Sequence, residues 1–349
     1  MFRDSERMGM DKTCIESVHI GEIRGCSSAA MLLPAALSIP YFAAPSPSTL
    51  MNSSPLTRRR FLQGASLGLA GCVVPRSAFG AKPATPAWTI GCLNRPWVKW
   101  SADEMLDGIR SAGYRTIGLQ TATPSDKWVG NSSRDYLAAL KEKVASRGLV
   151  AIEGRLTTKD TAPFESATAD IRQQVDNAKF LGVTTLINTG TAKPGLYEPW
   201  YRLMNYAAGY AADAGIRLVT KPHGGVVGTS EDLLRCLEKI NHRNLGIWYD
   251  AGNVIHYTGK DPLEELEPIL AHVTAFTAKD CPAKGGEVMI QFGQGKVDFS
   301  AIFRRLKKAG FKGPIMVESC AVGSSVAETT ANARTNREFL ERVLASLPA

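Results

Sequence analysis

The sequence predicts one closed (β/α)8 TIM barrel, preceded by an N-terminal segment that is cleavable or disordered and stands outside it. Three observations predict the barrel. From Trp88 onward, short apolar runs alternate with stretches whose apolar residues recur at three-and-four spacing, the signatures of buried strands and amphipathic helices. The alternation repeats eight times over about 260 residues, the usual size of such a barrel. The last four apolar runs each stop at ionisable residues, and the C-terminal strand ends are where barrels of this kind build their sites.

The strands are expected at 88–94, 114–121, 149–156, 184–191, 217–225, 245–253, 272–280 and 313–320, each a short run rich in Val, Ile, Leu, Thr or aromatic residues. Helices are expected at 102–112, 134–147, 164–181, 197–214, 230–240, 262–271, 299–309 and 326–347. Gly113, Gly148, Gly182, Gly215 and Gly310 follow helices directly, where a left-handed residue ends the helix without steric penalty. A doubly wound open sheet would carry a glycine-rich dinucleotide fingerprint after its first strand; Asn94-Arg95-Pro96-Trp97 stands there instead. Gly293-Gln-Gly295-Lys296 lacks the spacing of a phosphate loop, so no nucleotide cofactor is expected. No Pro-, Gly- or Ser-rich linker divides 87–349, which therefore reads as one domain.

The chain has 349 residues, 44% apolar and 21% charged, the composition of a globular protein. Its first eighty residues read differently. Thr57-Arg58-Arg59-Arg60-Phe61-Leu62-Gln63 precedes the apolar, small-residue stretch 64–74, and Ala78-Phe79-Gly80 offers a cleavage site before Ala81. Basic, then apolar, then small is the layout of an export signal, and the paired arginines resemble the twin-arginine type. Residues 51–80 are thus expected to engage the twin-arginine export machinery and to place the protein in the periplasm. Residues 1–50, ahead of Met51, are expected to be a disordered gene-start extension. Leu69-Ala70-Gly71-Cys72 resembles a lipoprotein box, so membrane attachment is expected only if Cys72 is lipidated. Without residues 1–80 the chain keeps 33 basic against 28 acidic side chains, a net +5. That mild excess, with no basic run beyond the arginine cluster, argues against a nucleic-acid partner. Cys92, Cys236, Cys281 and Cys320 remain, without zinc-like spacing. They read as lone buried thiols, a Cys281–Cys320 disulfide being the alternative in an oxidising compartment.

Alternate residues of a strand share a face, so Lys221 and His223 are expected to point one way from the fifth strand, and Thr277 and Lys279 from the seventh. Asp250 ends the sixth strand and Glu318 the eighth. If they face the mouth, cations, an imidazole and two carboxylates converge there. Carboxylate and imidazole suit a divalent metal such as Mn, Zn or Mg, for which His223, Asp250 and Glu318 are the candidate ligands. Alternatively, the Lys221 ammonium supplies the positive charge that a metal would. Glu153 ends the third strand and is a further ligand or base. Asn94, Gln120 and Asn188 end strands one, two and four and are candidates for binding substrate hydroxyls, as are Asn253 and His256 in the loop after the sixth. Trp97, Trp100, Trp128 and Trp248 are candidates for stacking on a sugar ring, with core packing the default for Trp248.

Lys221-Pro222-His223-Gly224-Gly225, Tyr249-Asp250-Ala251-Gly252-Asn253, Lys279-Asp280, Gly293-Gln294-Gly295 with Val297-Asp298-Phe299, and Gly313-Pro314 with Val317-Glu318 occur in an order that resembles the xylose-isomerase-like TIM-barrel superfamily of sugar isomerases and epimerases. The resemblance runs roughly from Trp88 to Leu347. It implies a metal held by Glu, Asp, His and Glu on strands five to eight. Asp250 and Glu318 match two of these positions; Lys221 and Thr277 occupy the other two. It implies an exported sugar or polyol isomerase or epimerase that removes a proton next to a carbonyl, with Glu318 or Glu153 as base and a metal or Lys221 stabilising the enediolate; Lys279 joins the catalytic set. A lyase or hydrolase on an oxidised sugar would use the same step. A sugar-binding pseudoenzyme is the non-catalytic alternative, supported by the Lys221 and Thr277 replacements. The histidine-rich phosphodiesterase branch is disfavoured, because only His223, His242, His256 and His272 lie in the barrel region.

Overall fold

A computed structural model describes residues 88–122 and 129–348. The export signal, the upstream extension, Cys72 and Trp128 lie outside the described residues. Eight parallel strands close in sequence order: β1 (Ile90–Leu93), β2 (Thr116–Leu119), β3 (Val150–Arg155), β4 (Thr185–Asn188), β5 (Arg217–Thr220), β6 (Leu245–Asp250), β7 (Val273–Ala278) and β8 (Ile315–Val317). Closure is made by β8 against β1, with Ile90 beside Ile315 and Cys92 beside Val317.

The helices lie outside this ring: α1 (Ala102–Ser111), α2 (Arg134–Ser146), α3 (Phe164–Leu181), α4 (Tyr197–Asp213), α5 (Ser230–Ile240), the single turn α6 (Ala251–Asn253), α7 (Pro262–Leu266), α8 (Phe299–Lys308) and α9 (Val326–Ala345). Their starts are written locally. Ser101 with Glu104, and Thr229 with Asp232, each satisfy two free backbone N–H groups in a capping box. All five predicted glycine stops have φ between 62° and 97°. The one helix expected over 262–271 is instead α7 followed by a 3-10 segment, Glu267–His272. Pro268 has no N–H to continue the α-helical ladder, so the chain tightens there.

Two cores result. A small one fills the barrel with Leu93, Ile187, Val219, Trp248, Ala275 and Met316. The larger one lies between strands and helices. The inward register carries directly to the mouth: two residues beyond Val219, Trp248, Ala275 and Met316 come Lys221, Asp250, Thr277 and Glu318. The four cysteines are buried and free, so the disulfide alternative does not hold.

Candidate active site

Lys221 and Lys279 are each 2% exposed, and both are held between the same two carboxylates. Lys221 Nζ lies 2.9 Å from Asp250 Oδ2 and 2.5 Å from Glu318 Oε2. Lys279 Nζ lies 3.2 Å from Asp250 Oδ2 and 2.6 Å from Glu318 Oε1, and donates to Asn253 Oδ1 at 2.9 Å. Arg95, just after β1, adds a third cation at 2.8 Å from Glu318 Oε1. Three cations thus face two carboxylates, leaving the cluster one positive charge in surplus.

The two lysines are not equivalent. An ammonium has three N–H donors. Lys221 donates hydrogen bonds to Asp250 and Glu318 and keeps its third N–H; Lys279 donates to Asn253 and meets the two carboxylates as ion pairs. Burial would lower the pKa of Lys221, but Asp250 and Glu318 outweigh it and hold the group above its usual range. For Lys279, burial together with Lys221 and Arg95 prevails, and its pKa is lowered. Lys221 is therefore a fixed cation with a free donor.

The carboxyls divide in the same way. Burial would raise Glu318, yet Lys221, Lys279 and Arg95 hold it well below the usual carboxylate range. It is an anchor for cations and a poor proton acceptor, contrary to its expected role as base. Glu153 is completely buried and pushed up to about 8, by burial above all. Its Oε1 accepts from the Gln120 amide, while Oε2 is buried with no partner. Gly118 makes the room: a Cβ there would lie 2.1 Å from Glu153 Oε2. Of the two candidate bases, Glu153 is the one able to exchange a proton near neutral pH.

The expected metal ligands do not form a metal site. Asp250 Oδ1 accepts the Asn253 N–H at 2.9 Å, and every other oxygen of Asp250 and Glu318 is taken by a lysine or Arg95. His223 Nε2 is bonded to Tyr257 Oη at 2.9 Å. Among the described residues, no group of three His, Cys, Asp or Glu side chains is placed to hold an ion. A dication would have to displace two ammoniums, so the residues present do not fit the metal that the resemblance implies.

The other candidates take varied places. His223 is half-buried and pushed down to about 4, by burial first and then by Lys221 and Lys279, so its ring is neutral at pH 7. His256 donates to or accepts from its surroundings at the rim, with Nδ1 2.9 Å from the Gly286 carbonyl and its ring edge-on to Tyr257. Asn253 is 3% exposed and uses its N–H, Oδ1 and Nδ2, the last donating to the Pro222 carbonyl at 2.7 Å. It ties the loops after β5, β6 and β7 together and positions Lys279; it is not open to substrate. Asn188 is also spent, accepting from Trp200 Nε1 and Gly190 N and donating to the Leu156 carbonyl. Trp97 is fully buried against α9, bonded to Thr330, and offers no face for stacking. Thr277 Oγ1 is buried without a partner where the resemblance would place a histidine. Lys279, two residues on, supplies that strand's contribution.

Sequence reasoning passed over two residues here. Arg95 was legible only as a basic residue ending the first strand run. Tyr257 carried no signal beyond its place beside His256. The Gly293–Gly295 loop also finds its reason: Asp280, completely buried, accepts from the N–H groups of Gly293, Gly295 and Val297. In Lys279-Asp280 the lysine thus serves the mouth and the aspartate folds the loop beside it.

A family model described as a xylose isomerase-like TIM barrel matches residues 106–343. An inosose dehydratase from Geobacillus thermodenitrificans is 24% identical over 228 residues, 55% of this chain and 76% of that protein. Other inosose dehydratases are matched over about half of their length. Among solved structures, a D-allulose 3-epimerase from Methylomonas sp. superposes with a TM-score of 0.59 at 19% identity, covering 73% of this chain and 98% of that one. A xylose isomerase-like TIM barrel protein from Mycobacterium smegmatis, in complex with magnesium, gives a TM-score of 0.61 at 18% identity, covering 74% and 97%. At these identities the structures share the fold.

Proposed function

Because this chain belongs to the xylose isomerase-like TIM barrel family, we propose that it is a carbohydrate enzyme that moves a proton next to a carbonyl, with lysine in place of a metal. The observation that carries the reading is the Lys221 ammonium, buried between Asp250 and Glu318 with one donor to spare. Removing a proton beside a carbonyl creates an enediolate with one negative charge. The cluster's single surplus positive charge matches it, and the free Lys221 N–H and the open side of Arg95 are the donors that would receive the oxyanion. Burial strengthens the Lys221 interaction.

Glu153 is the proton carrier. Its ionised form takes the proton, and the acid so formed returns it. Because Glu318 is locked as a carboxylate by three cations, the cluster has one working carboxyl. One carboxyl serves same-face chemistry: an isomerisation, or an elimination in which the acid delivers its proton to the departing β-hydroxyl. Epimerisation needs proton transfer on both faces and is less well served. The names of the sequence relatives favour elimination from a keto-polyol. Lys279 and Asn253 hold the two carboxylates in register.

The test is incubation with inosose and with a panel of ketoses in deuterium oxide, with and without a chelator. Deuterium exchange or loss of water at the α-carbon, unchanged by the chelator and absent in Lys221→Met, is expected. Activity lost to the chelator and restored by a divalent ion would refute the lysine-for-metal reading; no exchange with any keto sugar would refute the enzyme reading. We also propose export, which Arg58–Phe61 ahead of the apolar stretch supports. Cell fractionation with an arginine-to-lysine pair at Arg58 and Arg59 checks it: the protein should move from periplasm to cytoplasm.

A further inference from the structure

We propose that the open cleft between the loops that follow β3 and β4 is a subsite for a second sugar ring, so that the substrate is a glycoside or disaccharide. The cleft has a volume of about 570 Å3 and is lined by Thr158, Asp160 and Thr161 on one side and by Gly190, Thr191 and Lys193 on the other. That volume lies within the range of small-molecule sites, about 300–1,000 Å3.

Its chemistry suits a neutral polyol. Three threonines line it, Thr158 being bonded to the Asp160 carboxyl, whose Oδ1 atom is buried without a hydrogen bond. Lys159, also in the lining, is ion-paired with Asp170 at 2.6 Å. That leaves Lys193 and Asp160, of opposite sign, so the cleft carries no net charge to select an anion. Hydroxyls and an unpaired carboxyl oxygen are what the hydroxyls of a sugar ring need.

Its position suits the same substrate. β3, β4 and β5 are consecutive neighbours in the barrel. With strands about 4.8 Å apart, the cleft stands roughly 5–10 Å along the rim from the end of β5, where Lys221 lies. The loop that carries His223 also abuts the cleft wall. Val226 N–H donates to the Thr191 carbonyl at 3.0 Å, and a Cβ on Gly225, which has φ of 54°, would lie 2.3 Å from that oxygen. The cleft wall is thus tied to the loop that follows β5, which begins with Lys221. Assigning the second ring to the reacting substrate rests on the proposed enolising role; the binding of a sugar in the cleft does not.

The test separates the two by measuring binding apart from turnover. Calorimetry on the full chain would compare glucose with maltose, cellobiose and sophorose, none of which carries the ketone needed for reaction. Ala192→Trp and Thr161→Trp, two exposed lining positions, would fill the cleft. At least one disaccharide is expected to bind 10-fold or more tighter than glucose, with that advantage lost in either variant. Equal affinities, no measurable binding, or an advantage that survives both variants would overturn the subsite. Turnover of the corresponding keto sugars is read separately, so a bound but unreacted disaccharide would sink the enolising role and leave the subsite standing.

Discussion

The half of the barrel mouth built by β5 to β8 and the half built by β1 to β4 solve the problem of buried polar groups in different ways. In the first, Lys221, Asp250, Lys279 and Glu318 satisfy one another across strands. In the second, amides satisfy the backbone of their own and the neighbouring loops. Asn94 accepts from the N–H groups of Gln120 and Thr121 and donates to the Thr121 carbonyl; Asn188 closes the turn at Gly190. The charged half therefore holds a field, and the amide half holds loops in shape. Two ionisable residues depart from this in the amide half: Arg95, which reaches across to Glu318, and Glu153, whose Oε2 is unpaired. Two of the atoms left unsatisfied, that oxygen and the third N–H of Lys221, are the ones the proposed reaction would use.

The comparison can be broken most severely at Lys221. Replacing it with Met leaves two buried carboxylates sharing one lysine, and breaking a buried pair in this way costs roughly 3–5 kcal/mol. Denaturant unfolding should show that loss, and turnover should vanish. If turnover survived, the charged half would be scaffold and not the reacting half. At Glu153, the change to Gln should lower kcat by about 10²- to 10⁴-fold, the usual worth of a positioned acid or base.

The same variant sharpens the comparison through pH. The folded pKa of Glu153, about 8, lies above its ordinary value of 4.5. The folded state therefore binds the proton more tightly. This contribution to stability is complete below pH 4.5 and is lost as pH rises towards 8. Glu153→Gln cannot ionise, so its Tm should gain on the wild type between pH 5 and 9. As base, Glu153 must be ionised, so wild-type kcat/KM should climb with pH, bend near 8 and level off above it; a profile flat from pH 6 to 9 would remove Glu153 from that role.

Smaller effects follow at the two asparagines, one in each half. Asn253→Ala unpairs one donor of Lys279 and should cost about 1–3 kcal/mol, the penalty for a buried group left unsatisfied. Because Asn253 positions Lys279, kcat should fall with KM nearly unchanged, and the pH profile should shift. Asn188→Ala strands Trp200 Nε1 and Gly190 N and should cost a similar amount of stability. Its kcat should change less than twofold. An equal loss of activity at both positions would erase the division between a charged half that reacts and an amide half that supports.

Much of this was legible beforehand where a single strand carries the signal. Lys221, Asp250, Lys279, Glu318 and Glu153 all announce themselves as ionisable residues ending apolar runs. The misplaced candidates share a cause. Asn188, Asn253 and Trp97 also end strands or start loops, but whether their polar atoms face substrate or backbone depends on which neighbour comes close. Trp97 meets α9, more than two hundred residues along the chain, and Arg95 meets Glu318 at a similar separation. No local pattern records such a meeting.

By itself, then, the sequence determined the periods, the glycine stops and the kind of group delivered to each strand end, because these depend on residues a few positions apart. Only the tertiary structure decided which of those groups remain available. Closing β8 against β1 sets Arg95 on Glu318, and burial then makes the pairing of every charge compulsory. The proposal that Lys221 supplies the mouth's positive charge rests at that level, on oxygens that the lysines and Arg95 already occupy.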